Sequence, residues 1–236
     1  MFFVFDCITE FSEMRPNTRE LSEEEQEVGI RSKIGEGISY PALHRRMLAW
    51  VGIWIENNGT PRKQLSWSGD VEKEGFKQLF DGLNHYKDFG LIHFGARSNH
   101  LPMFTYKAMQ YQLVMPLRLS SHDITYRYSK HNIDLRDQLC NYGADTPANF
   151  AELLALINLP ENIQKTLTKI ALYGKNLGQA VTSNNDHELE LETKGYLRVL
   201  CIYLAWLRLK HAQGDIENQH YEHLRNRGQK KLASLI

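Results

Sequence analysis

The first eleven residues constrain the fold more than any other stretch. Phe2, Phe3, Val4 and Phe5 are consecutive large apolar side chains, and Asp6 follows at once. An apolar run this short, bounded by a charge, reads as a strand buried inside a sheet, over Phe2–Asp6. Such a strand needs other layers on both faces, and it delivers one carboxylate, Asp6, to its end. The run is too short for a signal peptide and is broken by Asp6 and Glu10.

The rest of the chain supplies the covering layers. Residues 12–46 are polar, with Ser22-Glu23-Glu24-Glu25 as a helix-start signal and Gly35, Gly37 and Pro41 as loop signals. The stretch MLAWVGIWIE, 47–56, predicts a second strand, and RKQLSWSG, 62–69, a third. Asn58-Gly59 between them is a hairpin signal. The triplet Asn58-Gly59-Thr60 also fits a glycan acceptor, but with no secretion signal it reads as a turn. DVEKEGFKQLFDGLNHY predicts a helix, with Val71, Phe76, Leu79, Phe80 and Leu83 on one face and Asp70 as its N-cap. FGLIHFG, 89–95, predicts a fourth strand, and 101–113 a helix with Pro102 in its first turn.

NFAELLALINLP predicts a helix ending before Pro160. A long helix is expected from about Glu188 to Lys210, with Tyr196, Val199, Leu200, Tyr203, Leu204 and Leu207 on one broad face. A final polar helix, about 215–227, ends in a basic tail. A three-strand meander, a helix, a strand and several helices make one α/β domain with a mixed sheet. The expected division is a domain over 1–214 and a helical, basic C-terminal extension over 215–236.

Twenty-eight basic and 28 acidic residues cancel, so any binding to nucleic acid must use a local patch. No apolar run reaches the length of a membrane span, and no membrane association is expected. Cys7, Cys140 and Cys201 stand far apart without zinc-site spacing and fit a reducing cytoplasm. No Gly-x-Ser-x-Gly elbow occurs. IGEGIS lacks the Gly-Lys-Ser/Thr ending of a phosphate loop.

Several segments, in order, resemble one family. They are FVFD, ALHRRMLAWVGI, HFGARSNHLPMFTYKAM, YRYSKHNIDLRDQL, LLALINLP and YLAWLRLKHAQGD. Together they resemble the predicted 3′–5′ exonucleases related to the proofreading domain of family-B DNA polymerases, from the first strand to about residue 215. The resemblance implies an RNase H-like mixed sheet flanked by helices. It also implies a mechanism in which four acids hold two divalent ions about 4 Å apart. Mg²⁺ or Mn²⁺ in that role needs oxygen ligands.

Carried over position by position, the acids are mostly missing. The first falls on Asp6 and the second on Ile8. Glu10 could substitute only if the strand end bulges, because it lies about 13 Å along a regular strand from Asp6. The third falls on His100. The fourth falls on Arg198 when WLRL is aligned, or on Leu200 when Tyr196 is kept as the family's tyrosine. Arg198 puts a permanent positive charge where a cation belongs, and pairing with Asp6 is one expected outcome.

Alternatives stay open at each position. Asp6 is a surviving ligand or a polar strand end. His100 is a hydrogen-bonded histidine, or a ligand of a softer ion with Asp6 and Asp134. Asp134 and Asp137 are a residual acidic pair, or a helix cap and a surface charge. Tyr106, Tyr111, Tyr126 and Tyr128, interleaved with Lys107, Arg118, Arg127 and Lys130, could stack bases and hold phosphates, or simply pack. Arg97 belongs to the same group. Arg225, Arg227, Lys230 and Lys231 form a solvated tail, or touch phosphate or a protein.

The leading expectation is an exonuclease-like protein that has lost its chemistry. It would act as a nucleic-acid-binding or scaffold subunit of a larger complex, without a required cofactor. The alternatives are an active 3′–5′ exonuclease with an altered Mg²⁺ or Mn²⁺ site, and a purely structural module.

Overall fold

A computed structural model of the chain describes residues 1–11, 45–143, 149–173 and 191–236. The helix-start signal at Ser22 and the loop signals at Gly35, Gly37 and Pro41 lie outside the described residues. Among the described residues five strands form one sheet: β1 Phe2–Phe11, β2 Arg45–Ile55, β3 Pro61–Ser68, β4 Gly90–His93 and β5 Asn132–Asp134. Their order is β3-β2-β1-β4-β5. β2 runs antiparallel to β1 and β3, and β1, β4 and β5 are parallel. The apolar N-terminal run therefore becomes the central strand.

β1 outruns its expected end at Asp6. Its ladder with β2 continues from Asp6↔Val51 to Phe11↔Arg45. The register shifts between Ile8↔Ala49 and Thr9↔Met47, so Leu48 of β2 is the extra residue. The bulge therefore sits on β2, and Glu10 keeps its place opposite Arg46. The β2–β3 turn forms where Asn58-Gly59 marks it. The Gly59 amide donates to the Glu56 carbonyl at 2.9 Å, and the Thr60 amide to Asn58 Oδ1 at 3.0 Å. Gly59 has φ +91° and lies against Leu207, so a side chain there would be both strained and crowded.

Nine α-helices cover the sheet among the described residues. They are α1 Glu72–Asn84, α2 His100–Tyr111, α3 Leu117–Ser120, α4 His122–Thr125, α5 Leu135–Leu139, α6 Phe150–Leu156, α7 Glu161–Tyr173, α8 Leu191–Ala212 and α9 Asn218–Ala233. Strand alternation divides the core into two layers. Val4, Val51, Ile53 and Ile92 face Leu197, Tyr203 and Trp206 of α8. Phe3, Phe5, Trp50 and Trp54 face Phe76 and Leu79 of α1 and Phe104 of α2. The architecture is α/β, an RNase H-like mixed sheet with helices on both faces.

Several elements differ from the sequence reading. α1 begins at Glu72 and is not capped by Asp70. Glu72 is buried instead, where Oε1 accepts from the Met47 amide at 2.6 Å and Oε2 from Lys107 Nζ at 2.9 Å. β5 and α7 were not foreseen. The C-terminal basic stretch is not a solvated tail: α9 runs to Ala233, with Tyr221, Leu224 and Leu232 buried. No helix among the described residues is long and apolar enough to cross a membrane. Cys7, Cys140 and Cys201 are buried and unbridged.

Candidate functional site

Asp6 is 2% exposed and lies on the α8 side of β1. Arg198 of α8 reaches it, and Nε donates to Oδ2. The Arg198 guanidinium also lies over the Phe150 ring of α6, 4.5 Å from its centre. One cation is thus held between a carboxylate and an aromatic face. Of the two registers open in the sequence, the WLRL register is the one that reaches Asp6. Leu200 is buried elsewhere on α8. Ile8 is 5% exposed, two residues past Asp6 on the same face.

His100 opens α2. Its Nδ1 lies 3.9 Å from Asp6 Oδ1, beyond hydrogen-bond reach, and is buried with no hydrogen-bond partner among the described residues. Burial pushes its imidazole down to about 4. Asp6 opposes that shift, whereas Arg45, Arg198 and His93 reinforce it. His100 is therefore neutral at neutral pH.

A second buried network ties β4 to β5. His93 Nδ1 accepts from the Ala96 amide at 3.2 Å, which leaves Nε2 to donate to Asn132 Oδ1 at 2.7 Å. Asp134 Oδ1 accepts from the Gly95 amide at 2.8 Å and the Arg136 amide at 3.1 Å, and it caps α5. Its Oδ2 lies 3.4 Å from His93 Nδ1. Burial lowers the His93 pKa, against the pull of Asp134. Asp134 makes no hydrogen bond or ion pair with Asp6 or His100 among the described residues. Asp137 is the shared partner of two arginines: Arg97 Nε is 3.1 Å away and an Arg127 terminal nitrogen 3.2 Å.

The basic and aromatic residues separate into two groups. Lys107 is 4% exposed and spent on Glu72, so it is not turned toward a phosphate. Arg118 donates to the Phe89 carbonyl at 2.9 Å and pairs with Asp123 at 2.6 Å, which fixes the α3–α4 corner. Tyr111 is half-buried and donates to Glu72. Tyr106 is exposed on α2, with no ring contact among the described residues. Tyr126 and Tyr128 are 47% and 57% exposed as well. They belong to a continuous row: His122 stacks on Tyr126 at 5.0 Å, Tyr126 meets Tyr128 at 5.7 Å, and Tyr128 meets Tyr142 at 4.8 Å. Arg127 anchors the row through the Tyr142 carbonyl at 2.9 Å, and Lys130 beside it is exposed.

Residues 41–235 match the family model of predicted 3′–5′ exonucleases related to the exonuclease domain of PolB. The chain belongs to this family. The match begins after β1, so Asp6 lies outside it, and it runs through α9. No curated protein and no solved structure matches the chain significantly.

The exonuclease-family resemblance implies a pair of divalent ions beside Asp6 of β1. A pair of hard cations needs several oxygen ligands. The four carried-over positions supply one carboxylate, an isoleucine, a neutral imidazole and a guanidinium already on that carboxylate. These residues do not fit the ion pair. Sequence reasoning passed over Phe150 and His93. His93 carried a readable signal, as a lone ionisable residue inside a short apolar strand. Phe150 carried none, because its role depends on where α6 meets α8.

Proposed function

We propose that this exonuclease-family chain binds single-stranded nucleic acid without two-metal hydrolysis and serves as a subunit of a larger assembly in the cytoplasm. The Arg198–Asp6 pair carries the reading: the cation expected at Asp6 is supplied by the protein itself. Binding survives loss of metal chemistry, because stacking and phosphate contacts need no ion pair. The exposed row Tyr126–Tyr128 with Lys130 and Arg127 supports the binding half. The zero net charge supports the assembly half, since it gives little independent pull on a polyanion.

Digestion of a 3′-labelled single strand in Mg²⁺, then Mn²⁺, tests the proposal beside an Asp6→Ala control. No ladder is expected. A shifted band at low salt is expected, weakened about tenfold by Tyr128→Ala, the scale of one lost stacking contact. A ladder that disappears in Asp6→Ala would overturn the reading. It would favour the second one, an active site built from Asp6, Glu10, His100 and Asp134. The unpartnered His100 Nδ1, 3.9 Å from Asp6, is the observation on its side. Neither ladder nor shift would leave a purely structural module.

A further inference from the structure

A groove of about 390 Å³ runs between the outer strand β3 and the helices α8 and α9. Its floor is apolar, made by Ile53, Leu200, Tyr203 and Leu224. Its rim carries five cations, Arg62, Lys63, Arg227, Lys230 and Lys231, and no acid among the described residues lines it. Arg62 pairs with Glu56, and Lys231 sits over the Tyr196 ring at 5.7 Å. Lys63, Arg227 and Lys230 make no ion pair among the described residues. In a chain of zero net charge this is a concentrated positive patch. Among the described residues β3 is also the sheet's edge, paired only with β2, and Pro61–Gln64 are exposed.

We propose that this groove docks an acidic, apolar-alternating segment of a protein partner beside β3. The inference rests on the assembly half of the function above and is independent of whether the chain cleaves nucleic acid. An extended segment laid against an open edge gains backbone hydrogen bonds, and its alternate side chains enter the groove. Acidic residues on the other alternation meet the rim cations, and that complementarity selects the partner. The floor argues against nucleic acid. Bases need open aromatic faces, but Tyr203 is buried with its hydroxyl donating to the Gly59 carbonyl at 2.9 Å, and Lys231 covers Tyr196. A second copy is disfavoured as well. Two β3 edges paired about a two-fold axis through their exposed Pro61–Gln64 stretch would set the Arg62 and Lys63 cations of each copy against the other's.

Fluorescence anisotropy of the full chain with a labelled peptide of six Glu-Val repeats tests this. Micromolar binding that weakens with salt is expected. The triple variant Lys63→Glu, Arg227→Glu, Lys230→Glu should weaken it at least tenfold with an unchanged circular dichroism spectrum. A Glu-Ser peptide of the same length should bind more weakly, because it offers nothing to the floor. Tyr128→Ala, which tests the nucleic-acid reading, should leave peptide binding unchanged. Absence of binding, or binding indifferent to the triple variant, would overturn the proposal. Displacement of the peptide by a twenty-nucleotide oligothymidine would overturn it in favour of nucleic acid. A dimer in sedimentation that the triple variant dissolves would overturn it in favour of a second copy.

Discussion

Removing Arg198 leaves Asp6 buried without its countercharge, and a stranded buried charge costs more than a paired one gains. Arg198→Met is therefore expected to lose about 3 kcal/mol of stability. Asp6→Leu with Arg198→Met should recover most of it, because two apolar groups replace the pair. Urea unfolding of the cycle measures both, and a single-variant loss below about 1 kcal/mol would show that Asp6 is satisfied without Arg198. The histidines set the pH response. His100 falls to about 4 and His93 is lowered too, both chiefly by burial. Above about pH 6.5 neither folded nor unfolded chain protonates them. As pH falls below that, the unfolded chain takes up protons that the folded chain refuses, so stability declines until the folded values are reached. His100 alone should cost about 2 kcal/mol between pH 7 and pH 5, and His100→Gln should flatten the urea midpoint over that interval. At this scale the sequence reading carried the family's acid positions onto Asp6, Ile8, His100 and one of two residues of α8. It left open whether Arg198 or Leu200 faced Asp6, because helical register against a sheet is decided by packing.

Elements were legible in proportion to their own periodicity. The Asn58-Gly59 turn and the apolar face of α1 are written in local sequence, and so is the pairing of Asn149 and Glu152 that caps α6. β5 is three residues long, and only its ladder to β4 makes it a strand. α7 had a signal in Ile163 and Leu167, four apart, but a short amphipathic stretch after Pro160 competes with loop readings. Close approach between elements was also invisible. Gly75 of α1 lies under Trp67 of β3, and an added Cβ would come within 2.5 Å of the ring. Trp50 Nε1 donates to the Gly75 carbonyl at 2.9 Å, which holds the helix down on the sheet. Gly75→Ala gains about 1 kcal/mol of helix propensity but forces an overpacked contact costing about 1–3 kcal/mol. The expected balance is a lower Tm by a few degrees in a thermal melt. A raised Tm would show that Trp67 moves aside freely.

Taken as one body, the molecule joins its C-terminus to its first hairpin. Leu224 of α9 approaches the same Gly59 turn that Leu207 of α8 covers, and His220 Nε2 donates to the Asn58 carbonyl at 3.1 Å. Gly228 sits against Leu204, and Leu232 is fully buried. The basic composition of this segment suggested a tail because charge is counted along the chain. The structure turns the charges to one side and the leucines to the other, a division that only the α8 contact makes visible. The family match through residue 235 agrees with that packing. A C-terminal extension that folds separately would unravel first, with far-UV signal lost before near-UV. A helix built into the core melts with everything else. Leu232→Ala should therefore cost about 2–5 kcal/mol and shift both transitions together. Loss of helical signal alone, with the aromatic signal unmoved, would show α9 to be a separate unit and would loosen one wall of the β3 groove with it.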